Sequence, residues 1–298
     1  LSLSLLVTPA YSSHAAENAE AAGTSIEGQG MLSPSSSSES SESVFNGSGA
    51  GTSSEPVTDE KLETILKQVQ SQLPTENGTW AAFISDLVNG TEGSLNDQKM
   101  QAASLIKLYI MGAVYENYDQ ITGQYGRDSV DSNLYSMITV SDNDAANTLT
   151  TYLGGGDSAA GMQAVNSFCQ AHGYDQTHMG RMLLASNEND DNYTSVGDCG
   201  HLLQEIYKQD TSGYTHAADM FNLLKAQTRC NKIPAQLPEG VKTANKTGEL
   251  DNVENDAGII YDSKNDVVIV FMSQNLSSAG SAQNTIATLS RTIYDYYN

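Results

Sequence analysis

Residues 241–273 read VKTANKTGELDNVENDAGIIYDSKNDVVIVFMS, and their side-chain rhythm decides the fold. Val241–Lys246, Ala257–Asp262 and Val267–Ser273 alternate with a period of two, and short polar turns separate them, as successive strands do. Downstream, a closing helix is predicted from about Gln283 to Tyr297. Upstream, the period lengthens to that of helices over about Gln101 to Glu116, Asn143–Tyr152, Gly161–His172, Val196–Gln209 and Ala217–Ala226. Further back, Thr79–Val88 is strand-like, Asn89-Gly90 is a hairpin signal and Thr91–Asn96 returns. Thr58-Asp59-Glu60-Lys61, followed by Leu62, Ile65, Leu66, Val69 and Leu73, reads as a capped amphipathic helix that opens the globular part. A sheet fed from both ends of the chain, with a helical block inserted between, is an α+β layered architecture.

Composition narrows the function classes. Fourteen Lys+Arg against 36 Asp+Glu give a formal charge of -22 over 298 residues. A field of that sign repels phosphate backbones, so no nucleic-acid partner is expected, and an anionic substrate would need a local cation. The chain has no long internal apolar run, which excludes a multi-span membrane protein. Three cysteines are too few for a disulfide scaffold and lack C-x-x-C spacing, while His172, His178, His201 and His216 are not grouped as metal ligands.

Residues 1–22 open with the apolar stretch Leu1–Val7 and run into small residues ending at Ala16, like the tail of a secretory signal with a cut after Ala15. Residues 23–57 include SPSSSSESSES at Ser33–Ser43 and have almost nothing apolar to bury, so they are expected to be a disordered spacer. A secreted globular domain, 58–298, would follow, with no transmembrane span in the mature chain.

Three short motifs fall where this architecture brings elements together. Ser104-Leu105-Ile106-Lys107 lies in a helical stretch, and residues three apart share one helix face, so hydroxyl and amine can meet. Serine needs a base to become a nucleophile, and lysine serves only if burial populates its neutral amine. Ser141-Asp142-Asn143 sits at a loop-to-helix junction, where all three residue types also make ordinary N-caps. Lys246-Thr247-Gly248 ends a predicted strand; Lys supplies a cation, Thr a hydroxyl, and Gly room for substrate backbone beside the strand edge. Each tripeptide or tetrapeptide is common by itself, as a solvated lysine, a cap or a strand-end turn.

Together and in this order, S-x-x-K, S-D-N and K-T-G are the signature of class A β-lactamases and penicillin-binding proteins. The region from about Asp59 to Asn298 therefore resembles the class A β-lactamase-like serine hydrolases of the penicillin-recognising superfamily. The resemblance implies an antiparallel sheet of about five strands flanked by helices, with an inserted all-helical subdomain. It implies Ser104 as the acylated nucleophile and Lys107 as its base or base-activator. Ser141 would pass a proton to the leaving nitrogen, and Asn143 would orient the substrate amide and Lys107. Lys246 and Thr247 would bind a substrate carboxylate. The backbone N–H groups of Ser104 and of Glu249, which follows Gly248, would form the oxyanion hole. No cofactor and no metal are implied. The substrate would be a small-molecule β-lactam or a peptidoglycan stem peptide, met by a monomeric enzyme. The alternatives are a D-alanyl-D-alanine peptidase or esterase of the same superfamily, and a penicillin- or cell-wall-binding module without turnover.

The chain departs from the family in three places. The Ser104–Ser141 interval is short, which implies trimmed helices. Glu249 stands where a small residue is usual, and its charge could narrow the cleft or repel carboxylates. Family members carry R-x-E-x-x-L-N in an Ω-loop whose Glu activates the deacylating water. The matching segment here is Arg181–Glu188, with Leu183 in the place of that Glu; Glu188 is the one candidate for a displaced base, or a solvated loop charge. Arg181 is expected to pair with Asp190 or Asp191. An oxidising compartment would also permit a Cys199–Cys230 bridge, leaving Cys169 free.

Overall fold

The computed structural model describes residues 59–298; the leader and the spacer expected before them lie outside the described residues. In chain order the elements are α1 (Glu60–Gln72), β1 (Thr79–Asp86), β2 (Thr91–Leu95), β3 (Met100–Gln101), α2 (Ile106–Glu116), α3 (Tyr118–Tyr125), α4 (Arg127–Thr139), α5 (Asn143–Leu153), α6 (Ser158–Ala171), β4 (Tyr193–Thr194), α7 (Val196–Tyr207), α8 (Ala217–Lys225), β5 (Lys242–Leu250), β6 (Val253–Tyr261), β7 (Val267–Gln274) and α9 (Ala279–Tyr297). The main sheet has the order β2-β1-β7-β6-β5, and every pair in it is antiparallel. The N-terminal hairpin thus completes a sheet that the C-terminal strands begin, as the two-ended pattern predicted.

Both faces of this sheet are covered, which is why β7 reads VVIVFM without alternation. Val267, Ile269 and Phe271 pack with Leu62, Ile65 and Val69 of α1 and Ile286 and Ile293 of α9. Val268, Val270 and Met272 face the helical block, where α2 is the central element. Every residue of α2 from Ile106 to Tyr115 is buried, so it is sheathed all round rather than amphipathic. Any polar side chain on α2 loses water unless the cleft supplies partners, and Lys107 is such a side chain.

Three expectations need correction. The strand carrying Lys246-Thr247-Gly248 does not end there: β5 continues to Leu250 and turns tightly into β6, with Leu250 opposite Val253. β6 starts four residues earlier than its apolar pattern, because Glu254, Asn255 and Asp256 are buried polar residues within it. Cys199 and Cys230 are not bridged; all three cysteines are free. Cys199 is enclosed in α7, where its Sγ accepts a hydrogen bond from the Tyr109 hydroxyl at 3.4 Å, whereas Cys230 is exposed beyond α8. Burial pushes the thiols of Cys169 and Cys199 up to about 12, so neither is poised to react.

Gly161 lets α6 cross α5 closely. A Cβ there would lie 1.8 Å from the Thr150 carbonyl oxygen, a backbone atom that cannot swing aside. Because α5 begins at Asn143, this crossing also sets the position of the S-D-N loop. Gly161→Ala is expected to destabilise the fold by about 1–3 kcal/mol or more, read as a lower urea midpoint at unchanged slope. A midpoint equal to that of the parent would show that the crossing is not tight.

Candidate active site

Ser104 stands on a single 3-10 turn, Ala103–Leu105, leading into α2. Ala103 before it is held at φ 47°, in the left-handed region that non-glycine residues avoid. Asn255 of β6 donates from Nδ2 to the carbonyl oxygens of Gln101 (2.9 Å) and Ala102 (3.2 Å), tying the turn to the sheet. β5, an edge strand, lies alongside. A Cβ on Gly248 would sit 2.9 Å from Ala102 O and 3.2 Å from Ser104 N, so only glycine lets the strand come this near to the serine backbone.

One helical turn on, Lys107 Nζ lies 3.1 Å from Ser104 Oγ. It donates to the Ser141 carbonyl oxygen at 2.6 Å and to Asn143 Oδ1 at 2.7 Å, and lies 3.1 Å from Ser141 Oγ. Burial lowers its amine to about 7; the Asp142 carboxylate opposes this and the Arg229 guanidinium adds to it. Two acceptor-only oxygens use the two N–H bonds of a neutral amine, which leaves its lone pair for a serine hydroxyl. Ser141 is held at φ 61°. The capping role of the motif falls to Asp142 alone, whose Oδ1 accepts from the Ala145 N–H at 2.7 Å. Ser141 and Asn143 are thereby free to face Lys107.

Lys246 comes from β5 and is fully buried; its Nζ donates to Ser141 Oγ at 2.9 Å and to the Thr247 carbonyl oxygen at 2.8 Å. Burial, then the proximity of Lys107 and Arg229, drives its pKa well below the ordinary lysine value. The three motifs thus converge: Ser104, Lys107, Ser141, Asn143 and Lys246 form one chain of contacts, with Thr247, Gly248 and Glu249 on the adjacent strand.

Ser104 opens into a cavity of about 340 Å³ that Asn143, Arg181, Leu183, Leu184 and Glu249 also line. The loop carrying Leu183 is pinned at its neck. Arg181 Nε donates to Asp191 Oδ1 at 2.6 Å, and Gln101 Nε2 donates to the other oxygen of Asp191 at 3.0 Å, so of the two expected partners Asp191 is the one used. Asp190 pairs instead with His178 at 2.7 Å. Asn147, one turn into α5 from Asn143, clamps the backbone of Leu183: Oδ1 accepts from its N–H at 2.8 Å and Nδ2 donates to its carbonyl at 3.0 Å. Leu183 is buried, facing the same cavity as Ser104. Glu188 is not brought there. It is exposed on the loop and absent from the cavity wall, which the loop lines from Leu183 to Asn187, with Leu184 76% exposed at φ 66°.

Glu249 does not project a bare charge. Its carboxylate is 3.0 Å from Lys232 Nζ and 3.4 Å from Arg229 Nη1. Burial works against its ionisation, but Lys232 and Arg229 outweigh it and hold the carboxyl below its usual value. Lys232 is itself fully buried and also meets Glu254 at 2.6 Å. Sequence reading missed Asn147, Arg229, Lys232 and the buried polar run of β6. The available signal was Glu249 itself: a carboxylate fixed beside a cleft calls for a nearby cation, and Arg229-Cys230-Asn231-Lys232 precedes the strand.

A serine and a buried lysine at the seam between a sheet and a helical block, with a second serine and lysine beside them, make the framework of a serine hydrolase. A family model described as the beta-lactamase enzyme family matches residues 122–297, a span that starts after Ser104 and contains the other two motifs. The chain belongs to that family. Among solved structures it is similar to a beta-lactamase from Sphaerobacter thermophilus DSM 20745 (22% identity, TM-score 0.65) and to PBP-A (22%, 0.68), over 78% of this chain and 96% of each of theirs. A class A beta-lactamase representing the last common ancestor of Gram-negative bacteria is similar at 19% identity and TM-score 0.67, over 79% of this chain and 100% of that one. At these identities the likeness is one of fold. A search by sequence among curated proteins gave no match.

Proposed function

We propose that this protein opens β-lactam rings by acylating Ser104 and releases the product slowly. The observation that carries the reading is the ring of contacts around Lys107 Nζ: Ser104 Oγ on one side, Ser141 and Asn143 on the other. In the first step the Ser104 proton passes to the lone pair of neutral Lys107 as Oγ attacks the lactam carbonyl carbon. The N–H groups of Ser104 and Glu249 stabilise the oxyanion, each such donor being worth about 10²–10³ in rate. The C–N bond then breaks as Ser141 gives its hydroxyl proton to the departing nitrogen and takes from Lys107 the proton that came from Ser104, which returns both to their starting states. In the second step water must attack the Ser104 ester; the loop brings Leu183 and no carboxylate to the cavity wall, and the one carboxylate in that lining, Glu249, is held by Lys232 and Arg229.

A β-lactam as acyl donor has support from one solved relative by fold, a leucine-to-glutamate variant of PBP-A in acyl-enzyme complex with penicillin G (23% identity, TM-score 0.67). A peptidoglycan stem peptide is the second reading, favoured by β5, an edge strand along which an extended peptide can pair. Secretion rests on the leader-like opening and the Ser-rich tract; among the described residues no helix is long and apolar enough to cross a membrane.

The pH dependence of acylation tests it. Below about 7 Lys107 carries its third proton and has no lone pair, so the rate of adduct formation with benzylpenicillin is expected to rise with pH and level off above about 7. A rate independent of pH from 5 to 9 would remove Lys107 as the base.

A further inference from the structure

A second cavity, of about 440 Å³, lies in the helical block and shares no lining residue with the one at Ser104. Its volume is that of a small-ligand site. Tyr115 from the end of α2, Tyr118 from α3 and His216 before α8 form one ring cluster in its wall, with centroids 4.9 to 5.4 Å apart. Tyr135 of α4 joins no ring pair among the described residues and lines the same cavity with its side chain 55% exposed.

Tyr115 is the telling residue. It is only 7% exposed, yet its hydroxyl has no hydrogen-bond partner among the described residues, whereas buried polar groups are ordinarily paired. Burial first, then the Asp219 and Asp131 carboxylates, hold that hydroxyl well above its ordinary pKa, so it stays protonated. Each carboxylate spends one oxygen: Asp131 Oδ1 accepts from the Tyr118 hydroxyl, and Asp219 Oδ2 meets His216 Nδ1 at 2.8 Å. The second oxygen of each is left over. The Arg127 guanidinium, with its fork of donors, lies over the Tyr118 ring, 5.2 Å from the centroid. Such a wall sorts ligands by charge. An anion meets two carboxylates, and a cation finds Arg127 already on the ring it would stack against. A neutral ligand rich in hydroxyls can use every group: its O–H bonds donate to the carboxylates, its oxygens accept from Arg127 and Tyr115, and its C–H faces cover the aromatic rings.

We propose that this cavity binds a short neutral saccharide. The inference is independent of the acyl-enzyme reading, since no residue of the Ser104 cluster takes part.

The test titrates N,N′-diacetylchitobiose and cellobiose into the full chain, followed by calorimetry and saturation-transfer NMR. At least one of them is expected to bind with Kd at or below about 10 mM. Tyr115→Phe deletes a hydroxyl and keeps the packing; it is expected to raise Kd by about two- to ten-fold, the worth of one hydrogen bond. Tyr135→Ala removes the exposed ring and is expected to raise Kd by about ten-fold. Benzylpenicillin should acylate Ser104 in both variants as in the parent, which separates a lost saccharide site from a damaged fold. Co-sedimentation with insoluble chitin, set against the free disaccharide, distinguishes a polymeric glycan from a soluble sugar, and either one supports the site. No binding of either sugar, an affinity untouched by both substitutions, or tighter binding of tetramethylammonium or acetate than of the sugars overturns the proposal.

Discussion

Lys107→Met is expected to slow acylation of Ser104 by about 10²–10⁴-fold, the span associated with a positioned general base. Methionine matches the volume of the lysine stem and suits its surroundings, since α2 is buried throughout. The variant therefore removes the amine more than the packing, although it leaves the Ser141 carbonyl and Asn143 Oδ1 without their donor. Two readouts separate chemistry from loosened structure. Residual acylation in the variant should lose the rise through about 7 that Lys107 imposes on the parent. The thermal midpoint, measured in parallel, should fall by a few degrees at most, in keeping with a change of about 1 kcal/mol in a domain of this size. A variant that keeps the parent's rate and pH profile would place the base elsewhere.

The second large effect concerns turnover. On the proposed reading Ser104 and Lys107 supply acylation, while the loop brings Leu183 and no carboxylate to the cavity wall to activate the hydrolytic water. A chromogenic cephalosporin should give a burst of one equivalent followed by a slow steady state. Leu183→Glu is expected to raise that steady state, by as much as about 10²-fold, since general-base activation of water contributes 10²–10⁴. The two hydrogen bonds of Asn147 to the backbone of residue 183 keep whatever side chain stands there facing the cavity. Glu188→Gln, by contrast, should leave both phases unchanged, because Glu188 sits outside the cavity wall. Rapid turnover in the parent, lost in Glu188→Gln, would show that the loop rearranges to deliver that carboxylate.

How much of this was legible in the sequence follows from what each residue answers to. Ser104 and Lys107 are three apart on one helix, so local geometry alone joins them, and the hydrophobic neighbours of Lys107 announce its burial. The strands β1 and β7 were plain because their apolar sequence reflects a sheet covered by helices on both sides, and β2, which is polar, because Asn89-Gly90 marks the hairpin before it. The start of β6 was hidden for the opposite reason. Glu254, Asn255 and Asp256 look like a turn, yet they are buried and satisfied by partners far away in the chain: Lys232 for Glu254, the Gln101 and Ala102 carbonyls for Asn255, and the Ile233 N–H for Asp256. No local pattern reports such partners. Helices α3 and α4 carry mixed polar sequence interrupted by Gly123 and Gly126, which masks their period. The expected Cys199–Cys230 bridge placed both residues in the right block, but Cys199 faces Tyr109 inside the core while Cys230 lies at the surface.

The most direct test of the account is the fate of Ser104 in the parent protein. Benzylpenicillin should be added in slight excess, quenched at intervals from seconds to hours, and followed by intact mass with peptide mapping. The account predicts one adduct per chain, mapped to Ser104, complete early, long-lived, and absent from Ser104→Ala. An adduct that survives Ser104→Ala, or penicillin consumed over many turnovers with no adduct ever accumulating, would contradict it.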